Sequence, residues 1–205
     1  MADIYENVDI FAEDDADRDV MANLGPLTPL AGIWEGDEGF DVAPGPDGPE
    51  ESRFRERMVF EPMGPVQNGP QTIYGLRYST TAWRLGEEDA FHEEEGYWLW
   101  DPKQGQVMRS FIVPRGVTVN AGGTAGPDDR AFSMAAESGS EVYGVTSNPF
   151  LDRAKHTIRF EMTATIHDDG RFSYDEDTQI RIEGQDEIFH HTDRNTLKKV
   201  ADAPR

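Results

Sequence analysis

The stretch HTIRFEMTATIHDDGRFSYDEDTQIRIEG (156–184) consists of two segments of alternating polar and apolar residues on either side of Asp-Asp-Gly. Successive side chains of a strand point to opposite faces of a sheet. Asp-Gly between two such segments is a strong hairpin signal. The stretch therefore predicts an antiparallel β-hairpin with one face in a core and the other in water. In the first strand the core face would carry Ile158, Phe160, Met162 and Ala164.

Segments rich in β-forming residues continue this pattern on both sides of the hairpin. Short turn sequences (PKQG, PRG, GPDD and SGS) separate them, and they amount to about ten strands plus the N-terminal segment IWEGDEGF. Closure into a barrel is favoured because it removes exposed sheet edges. A barrel of this size is wider than side chains easily fill. We therefore predict an all-β fold, an antiparallel β-barrel of about ten strands with an internal cavity.

The rest of the chain is predicted to be short or irregular. Residues 1–13 indicate a loosely held arm, and DDADRDVMANLGPL (14–27) predicts one short helix with an Asp cap and a Gly-Pro stop. The segment DVAPGPDGPEES (41–52) is rich in Pro, Gly and Asp and predicts a loop. We expect an N-terminal arm and helix at 1–26 and a single barrel domain at 27–205.

The composition excludes several classes of partner and site. The formal net charge is −21, which argues against binding to nucleic acid or anionic membranes, because both require clustered Lys and Arg. The chain has no cysteine, which excludes disulfides and thiol chemistry and is compatible with a reducing cytoplasm. No secretory signal or membrane span of roughly 18 apolar residues is visible. We expect a cytoplasmic protein.

Two segments carry a family resemblance. The first, LTPLAGIWEGDEGF (27–40), resembles the opening of nitrobindin-like proteins, a short helix followed by Gly-x-Trp-x-Gly-x-Gly. Gly32, Trp34 and Gly36 match this motif, whereas Glu38 stands at the position of its last glycine.

The second segment, FHEEEGYWLWDPKQGQVMRSFIVPRGVTVNAGG (91–123), resembles the His-x-Glu-x-Gly-Tyr strand and following hairpin of the same family. The matching positions are His92, Glu94, Gly96 and Tyr97. The order of strands agrees along nearly the whole chain after residue 20. The resemblance implies a ten-stranded barrel with a cavity, of the haem-binding type also described as fatty-acid-binding-protein-like or lipocalin-like.

The resemblance also implies a position for haem. In haem-binding members a histidine of the last strand holds the iron, in a pattern like His-Leu-x-Ala-x-Leu-x-Arg-Val. When this pattern is laid on HHTDRNTLKKV (190–200) without a gap, Leu197 and Val200 match and the iron-ligand position falls on Thr192. Threonine is a poor iron ligand, and a slip of one residue would turn His191 to the opposite face. We therefore expect a barrel without the proximal histidine, although a bulge would turn His191 inward and allow haem b.

Other residues are candidates for contacts with a ligand. His92 and Glu94 share a face with Trp98; they indicate either a polar contact in an aromatic cavity or a hydrogen-bonded histidine at the barrel rim. Thr192 is a further candidate because it occupies the position of the family's iron ligand. Arg and Tyr of the strands could hold a ligand carboxylate through charge-assisted bonds, or lie on the outer face. These are Arg77, Tyr78, Arg109, Arg159 and Tyr174, of which Arg109 is our main candidate.

A metal site at the end of the chain is a further hypothesis. His190, His191 and Asp193 are close in sequence, but strand alternation lets at most two of them converge, whereas catalytic zinc usually has three protein ligands. A polar strand end is the simpler interpretation.

Three functions follow from these observations. The first is a barrel that binds a small apolar or amphipathic molecule, without stable haem and without catalysis. The second, implied by the resemblance, is a haem-binding nitrobindin that uses His191, binds nitric oxide and isomerises peroxynitrite. The third is a barrel filled by its own side chains that serves as an interaction module. Relatives of this type often pair, so the resemblance also implies a homodimer.

Overall fold

The computed structural model describes residues 4–13 and 15–203. Parts of three predictions lie outside the described residues: positions 1–3 of the arm, Asp14 at the start of the helical segment, and 204–205 at the end of the barrel domain. The described chain forms eleven strands, two short α-helices and a 3-10 helix over Gly25–Leu30. In chain order the other elements are α1 (Val20–Asn23), β1 (Gly32–Gly45), β2 (Gly48–Asn68), β3 (Gln71–Arg84), β4 (His92–Asp101), β5 (Gln106–Val113), β6 (Val117–Thr124), β7 (Ala131–Ser138), β8 (Gly144–Thr146), α2 (Pro149–Ala154), β9 (Lys155–Ile166), β10 (Arg171–Ile182) and β11 (Ile188–Ala201).

The strands close into a barrel in the order β1-β11-β10-β9-β7-β8-β6-β5-β4-β3-β2. The prediction of an all-β barrel of about ten strands is confirmed. Among the described strands, the departure from a fully antiparallel barrel is β8, three residues long, which pairs with β7 in parallel. None of the helices formed by the described residues is long and apolar enough to cross a membrane.

One end of the barrel is filled by large side chains. Phe172 is fully buried and packs edge-on against Trp34, Phe60 and Trp98, with ring centroids 5.8 to 6.3 Å apart. The 3-10 helix covers this end, and the indole Nε1 of Trp34 donates a hydrogen bond of 2.7 Å to the carbonyl oxygen of Leu30. The hydrophobic core therefore sits at the closed end of the barrel.

The glycines of the Gly-x-Trp-x-Gly motif allow neighbouring strands to pack closely at this end of the barrel. Gly32 has a positive φ of 145°, and a Cβ on Gly36 would lie 2.5 Å from the carbonyl oxygen of Thr196 in β11. Only a residue without a side chain lets β1 and β11 approach so closely. Gly32, Trp34 and Gly36 thus close the barrel and are not among the cavity-lining residues.

The predicted loop at 41–52 is wrong. β1 and β2 continue through it as a hairpin whose tip is Pro46-Asp47, with Gly45 paired to Gly48 and Pro44 paired to Pro49. Proline is tolerated near a hairpin tip because few ladder hydrogen bonds are needed there. The Pro-Asp-Gly sequence is itself a turn signal. This extended hairpin forms part of the cavity wall described below.

The helices also differ from the prediction. The helix expected at 14–27 is reduced to α1, capped by the side chain of Asp19, and Gly25 then starts the 3-10 helix. α2 was not predicted, because six residues are too few to show helical periodicity. Its signal is the cap: the Asn148 side chain accepts from the backbone N–H groups of Phe150 and Leu151, and Pro149 follows.

The hairpin at 156–184 forms as predicted, with one exception. Ile180 pairs with Thr157 and Gln179 with Arg159, so Ile158 is the extra residue of an irregularity in β9. Thr157 replaces Ile158 on the inward face at this end of the barrel and lines the cavity.

Gly96 of β4 provides a test of how closely neighbouring strands of the barrel approach each other. A Cβ at this position would lie 2.0 Å from the carbonyl oxygen of Ser110 in β5. We expect Gly96→Ala to lower the free energy of unfolding by about 1–3 kcal/mol, because the two strands must separate. Urea denaturation measures the change. Glu95→Ala, on the exposed side of the same strand, should change it by at most about 0.5 kcal/mol; equal effects of the two substitutions would contradict the close approach.

Candidate functional site

The end of the barrel opposite the aromatic core encloses a cavity of about 720 Å³. A cavity of this volume lies in the range of about 300–1,000 Å³ typical of small-molecule sites. Nine of the eleven described strands, all except β7 and β8, contribute lining residues, each from one part of its length. In β10, for example, Tyr174, Glu176, Thr178 and Ile180 line the cavity, whereas Phe172 is fully buried and does not line it.

The mouth of the cavity is largely apolar. Phe54, Phe91, Val117, Leu151 and Ile180 contribute side chains there. The exposed charged residues in the lining include both signs: Arg115, Lys155, Glu50 and Glu93.

The interior of the cavity is acidic. Arg109 of β5, only 2% exposed, is its one arginine below the rim. Its Nη2 donates a 2.6 Å hydrogen bond to Glu94, its Nη1 pairs with Glu176, and its Nε donates to the Tyr78 hydroxyl at 3.2 Å. The guanidinium also lies 4.4 Å from the ring centroid of Phe111. The arginine is therefore fully engaged by the protein.

The two carboxylates that share Arg109 titrate differently. Burial would raise the pKa of Glu94, but Arg109 and then His92 lower this pKa to about 2. Burial raises the pKa of Glu176, and the opposing charge of Arg109 does not compensate. Glu94 is thus the ionised partner, and Glu176 is the carboxyl that binds a proton more readily.

A second buried carboxylate network lies beside the first. The side chain of Glu56 accepts hydrogen bonds from the Thr80 hydroxyl at 2.8 Å, the Tyr174 hydroxyl at 2.8 Å and the Asn195 amide at 3.1 Å. Burial raises the pKa of Glu56 in spite of these bonds. All of its donors are neutral, so no cation compensates this carboxyl.

Three adjacent strands place acidic residues in one row of the barrel wall. Asp193 of β11 is paired directly with Asp41 of β1 on one side and with Glu176 of β10 on the other. All three line the cavity. Like charges in directly opposite positions destabilise a sheet. The row is therefore unfavourable for the fold.

Asp193 has no hydrogen bond or ion pair among the described residues, whereas Asp41 and Glu176 both have partners, and the Ser52 hydroxyl donates to Asp41 Oδ2 at 3.3 Å. Asp41 Oδ1 lies 2.8 Å from His191 Nε2, and Glu176 pairs with Arg109. Burial, and then the charges of Glu176 and other acidic neighbours, raise the pKa of Asp193 well above its usual value. Several strands contribute charged or titratable groups to the cavity wall around Asp193. They are Asp41 (β1), Glu56 (β2), His92 and Glu94 (β4), Arg109 (β5), Glu176 (β10) and, from the same strand as Asp193, His191.

These pKa shifts predict a dependence of stability on pH. A carboxyl whose pKa is higher in the folded chain binds its proton more tightly there, so the free energy of unfolding falls as pH rises from the unfolded to the folded pKa. Glu56, Glu176 and Asp193 act in this direction. Glu94 has the opposite effect, because its pKa is lower in the folded chain. Its contribution to the free energy of unfolding is present above pH 4.5 and is lost as the pH falls toward about 2.

Asp193→Asn should therefore stabilise the protein at neutral pH. The substitution removes two like-charge cross-strand pairs, so we expect a gain on the order of 1 kcal/mol. Denaturation at about pH 5 and about pH 8 should show the larger gain at the higher pH, because a larger fraction of Asp193 is ionised there. A gain independent of pH would contradict the assignment of the effect to ionisation.

The structure brings some of the predicted site residues together and excludes others. His92, Glu94, Arg109 and His191 line the cavity. Trp98 does not; it is 1% exposed and packs in the core beneath the cavity.

Thr192 requires a correction. It pairs with Val42 and Asp177, between His191 and Asp193, which both line the cavity. Its side chain therefore lies on the outer face. The inference that His191 faces away from the lumen is wrong for the same reason.

The arginines considered for binding a carboxylate are not available for one. Arg77 has a side chain 65% exposed and pairs with Glu61, and Arg159 pairs with Glu137 and Glu161 on the barrel exterior. Tyr78 and Tyr174 point inward, but their hydroxyls donate to Glu94 and Glu56.

The acidic interior was missed by the sequence analysis, apart from Glu94. Glu56 stands between Phe54 and Met58 on the apolar face of β2, and Glu176 follows Tyr174 at the same spacing in β10. A carboxylate at an inward position of an alternating strand is the signal that could have identified both.

The histidines of the last strand do not form a metal cluster. His190 Nδ1 bonds to Asp177 Oδ2 at 2.8 Å on the outer face, away from His191. Within the described residues, no group of three or more His, Cys, Asp or Glu could hold a metal ion.

Comparisons with known proteins agree with this architecture. Rv2717c from M. tuberculosis, a solved structure, is a barrel of the same kind, with a TM-score of 0.58 and 21% sequence identity over 90% of this chain and 99% of that chain. At this identity the likeness shows the fold alone. No match was found among curated proteins. Residues 23–199 match the family described as the THAP4-like, heme-binding beta-barrel domain. Because this match spans most of the sequence and includes β1 to β10 completely, the chain belongs to that family.

Proposed function

We propose that this protein binds a small amphipathic molecule in its cavity and does not hold haem stably. The observation that carries the proposal is the cavity itself, about 720 Å³ in volume with an apolar mouth and a polar interior. Such a lining suits a ligand that buries an apolar body and presents a few polar atoms.

Haem is the ligand that the family implies, and the donors in this cavity fit it poorly. Haem iron requires a nitrogen or comparable axial ligand. The Nε2 atom of His92 is bonded to Glu94 at 3.1 Å and that of His191 to Asp41 at 2.8 Å, so only the Nδ1 atom of either ring is left to reach iron. The acidic interior is also unlike the apolar surroundings that a porphyrin face prefers.

Haem binding through His191 is the second candidate function, and one observation favours it. His191 lines the cavity instead of facing outward. A carboxylate bonded to a histidine ring is the usual means of orienting an axial imidazole, and Asp41 supplies one. Peroxynitrite isomerisation would belong to this second candidate alone.

Two titrations test the proposal. The neutral fluorescent probe N-phenyl-1-naphthylamine should bind the wild type, and Ala82→Phe, which fills the cavity, should abolish this binding. Thr81→Phe, on the opposite side of β3, is the control; Ala82 lines the cavity and Thr81 does not. Failure of the wild type to bind the probe would overturn the ligand-binding proposal.

Haemin is the second titrant. We expect no sharp Soret band with the wild type. A Soret band that is lost in His191→Ala and retained in His190→Ala would overturn the exclusion of haem, because only His191 of this pair lines the cavity.

A further inference from the structure

We propose that the ligand is an organic cation, with an apolar body at the cavity mouth and a protonated amine bound by Asp193 between Asp41 and Glu176. This inference rests on the proposed function and adds the chemical class of the ligand.

The charge balance of the cavity interior supports this inference. Arg109 is shared by Glu94 and Glu176, and the two histidines are bonded to Glu94 and Asp41. The interior therefore has no uncommitted basic group among the described residues to which an anionic head group could bind. A fatty-acid carboxylate would instead face a surplus of protein carboxylates. Five carboxyl side chains, those of Asp41, Glu56, Glu94, Glu176 and Asp193, line this interior with the single Arg109.

The position of Asp193 supplies the second argument. Its side chain is partly buried and lines the cavity, and the described residues offer it no hydrogen bond or ion pair. The pairing register also sets Asp41 and Glu176 directly beside it. An ammonium group has three donors, which is the number needed to contact all three carboxyls of the row. A cation bound there would relieve the repulsion among the three carboxyls.

The surroundings of this row suit the rest of such a ligand. The apolar side chains of the mouth, including Phe54, Phe91 and Ile180, can bury a hydrocarbon body. The net charge of −21 attracts cations at long range. The acidic row lowers the stability of the fold, and residues that lower stability are common in binding sites because function requires them there.

Isothermal titration with three ligands of the same hydrocarbon length tests the proposal: octylammonium, octanol and octanoate. At about pH 7.5 we expect octylammonium to bind about tenfold or more tightly than octanol, the effect of one charge-assisted hydrogen bond, and octanoate to bind most weakly. Asp193→Asn should remove the preference for octylammonium and retain octanol binding. Asp175→Asn, which removes the same charge from an exposed position of β10, should leave the preference unchanged.

The outcomes separate this inference from the proposed function. If octanol binds but octylammonium has no advantage, or if octanoate binds as well as octylammonium, the cation inference is overturned and the cavity proposal stands. If the advantage survives in Asp193→Asn, the assignment to Asp193 is overturned. If none of the three binds, both proposals fail. Circular dichroism of each variant verifies that it is folded.

Discussion

Replacing Arg109 by methionine should lower the free energy of unfolding by about 3–5 kcal/mol, because the change leaves two buried carboxylates without their cation. Arg109 and Glu94 have side chains 2% and 5% exposed, and Glu176 is 9% exposed. Methionine has a similar volume and can remain among the aromatic rings that surround the guanidinium, so the expected loss is electrostatic. Guanidinium or urea denaturation at neutral pH measures it.

A surface arginine provides the control for this prediction. Arg159 also pairs with two glutamates, but its side chain is 31% exposed and its partners are 62% and 45% exposed. Arg159→Met should therefore lower stability by about 1 kcal/mol or less. Combining Arg109→Met with Glu94→Gln and Glu176→Gln should recover much of the loss. A triple variant as unstable as Arg109→Met alone would show that packing, and not charge, explains the effect.

Replacing Phe172 by alanine should lower the free energy of unfolding by about 3–5 kcal/mol, since a large side chain is removed from a closed core. Phe172 is fully buried against Trp34, Phe60 and Trp98. The filled end of the barrel cannot relax easily around the void, because three rigid aromatic rings line it. Thermal or chemical denaturation measures the change.

Phe91 is the matched aromatic residue at the open end. It is half-buried, lines the cavity and contacts Phe54 and Arg84. Phe91→Ala should lower stability by only about 1 kcal/mol, while it weakens the binding of N-phenyl-1-naphthylamine. If Phe172→Ala and Phe91→Ala proved equally destabilising, the division of the barrel into a packed end and an open end would be wrong.

The last strand shows where inference from sequence failed. A gapless match to the family's haem motif put the ligand position on Thr192 and turned His191 outward, whereas the register of β11 with β1 and β10 does the reverse. Strand direction and composition say nothing about which of two adjacent residues faces the lumen, since a shift of one residue exchanges the faces. The structure places His191 in the cavity wall, bonded to Asp41.

The sequence was sufficient to predict what depends on local pattern. Alternation of side chains and the turn signals between strands identified the barrel, and Gly32, Trp34 and Gly36 identified the family, because these features lie within single strands and hairpins. Tertiary structure alone decided the chemistry of the cavity. Asp41, Asp193 and Glu176 come from three strands, and their positions in one row depend on the pairing register across the closed barrel. A register shift between Glu35 and Phe40 in the pairing of β1 with β11 precedes Asp41, and local sequence pattern does not show where such a shift falls.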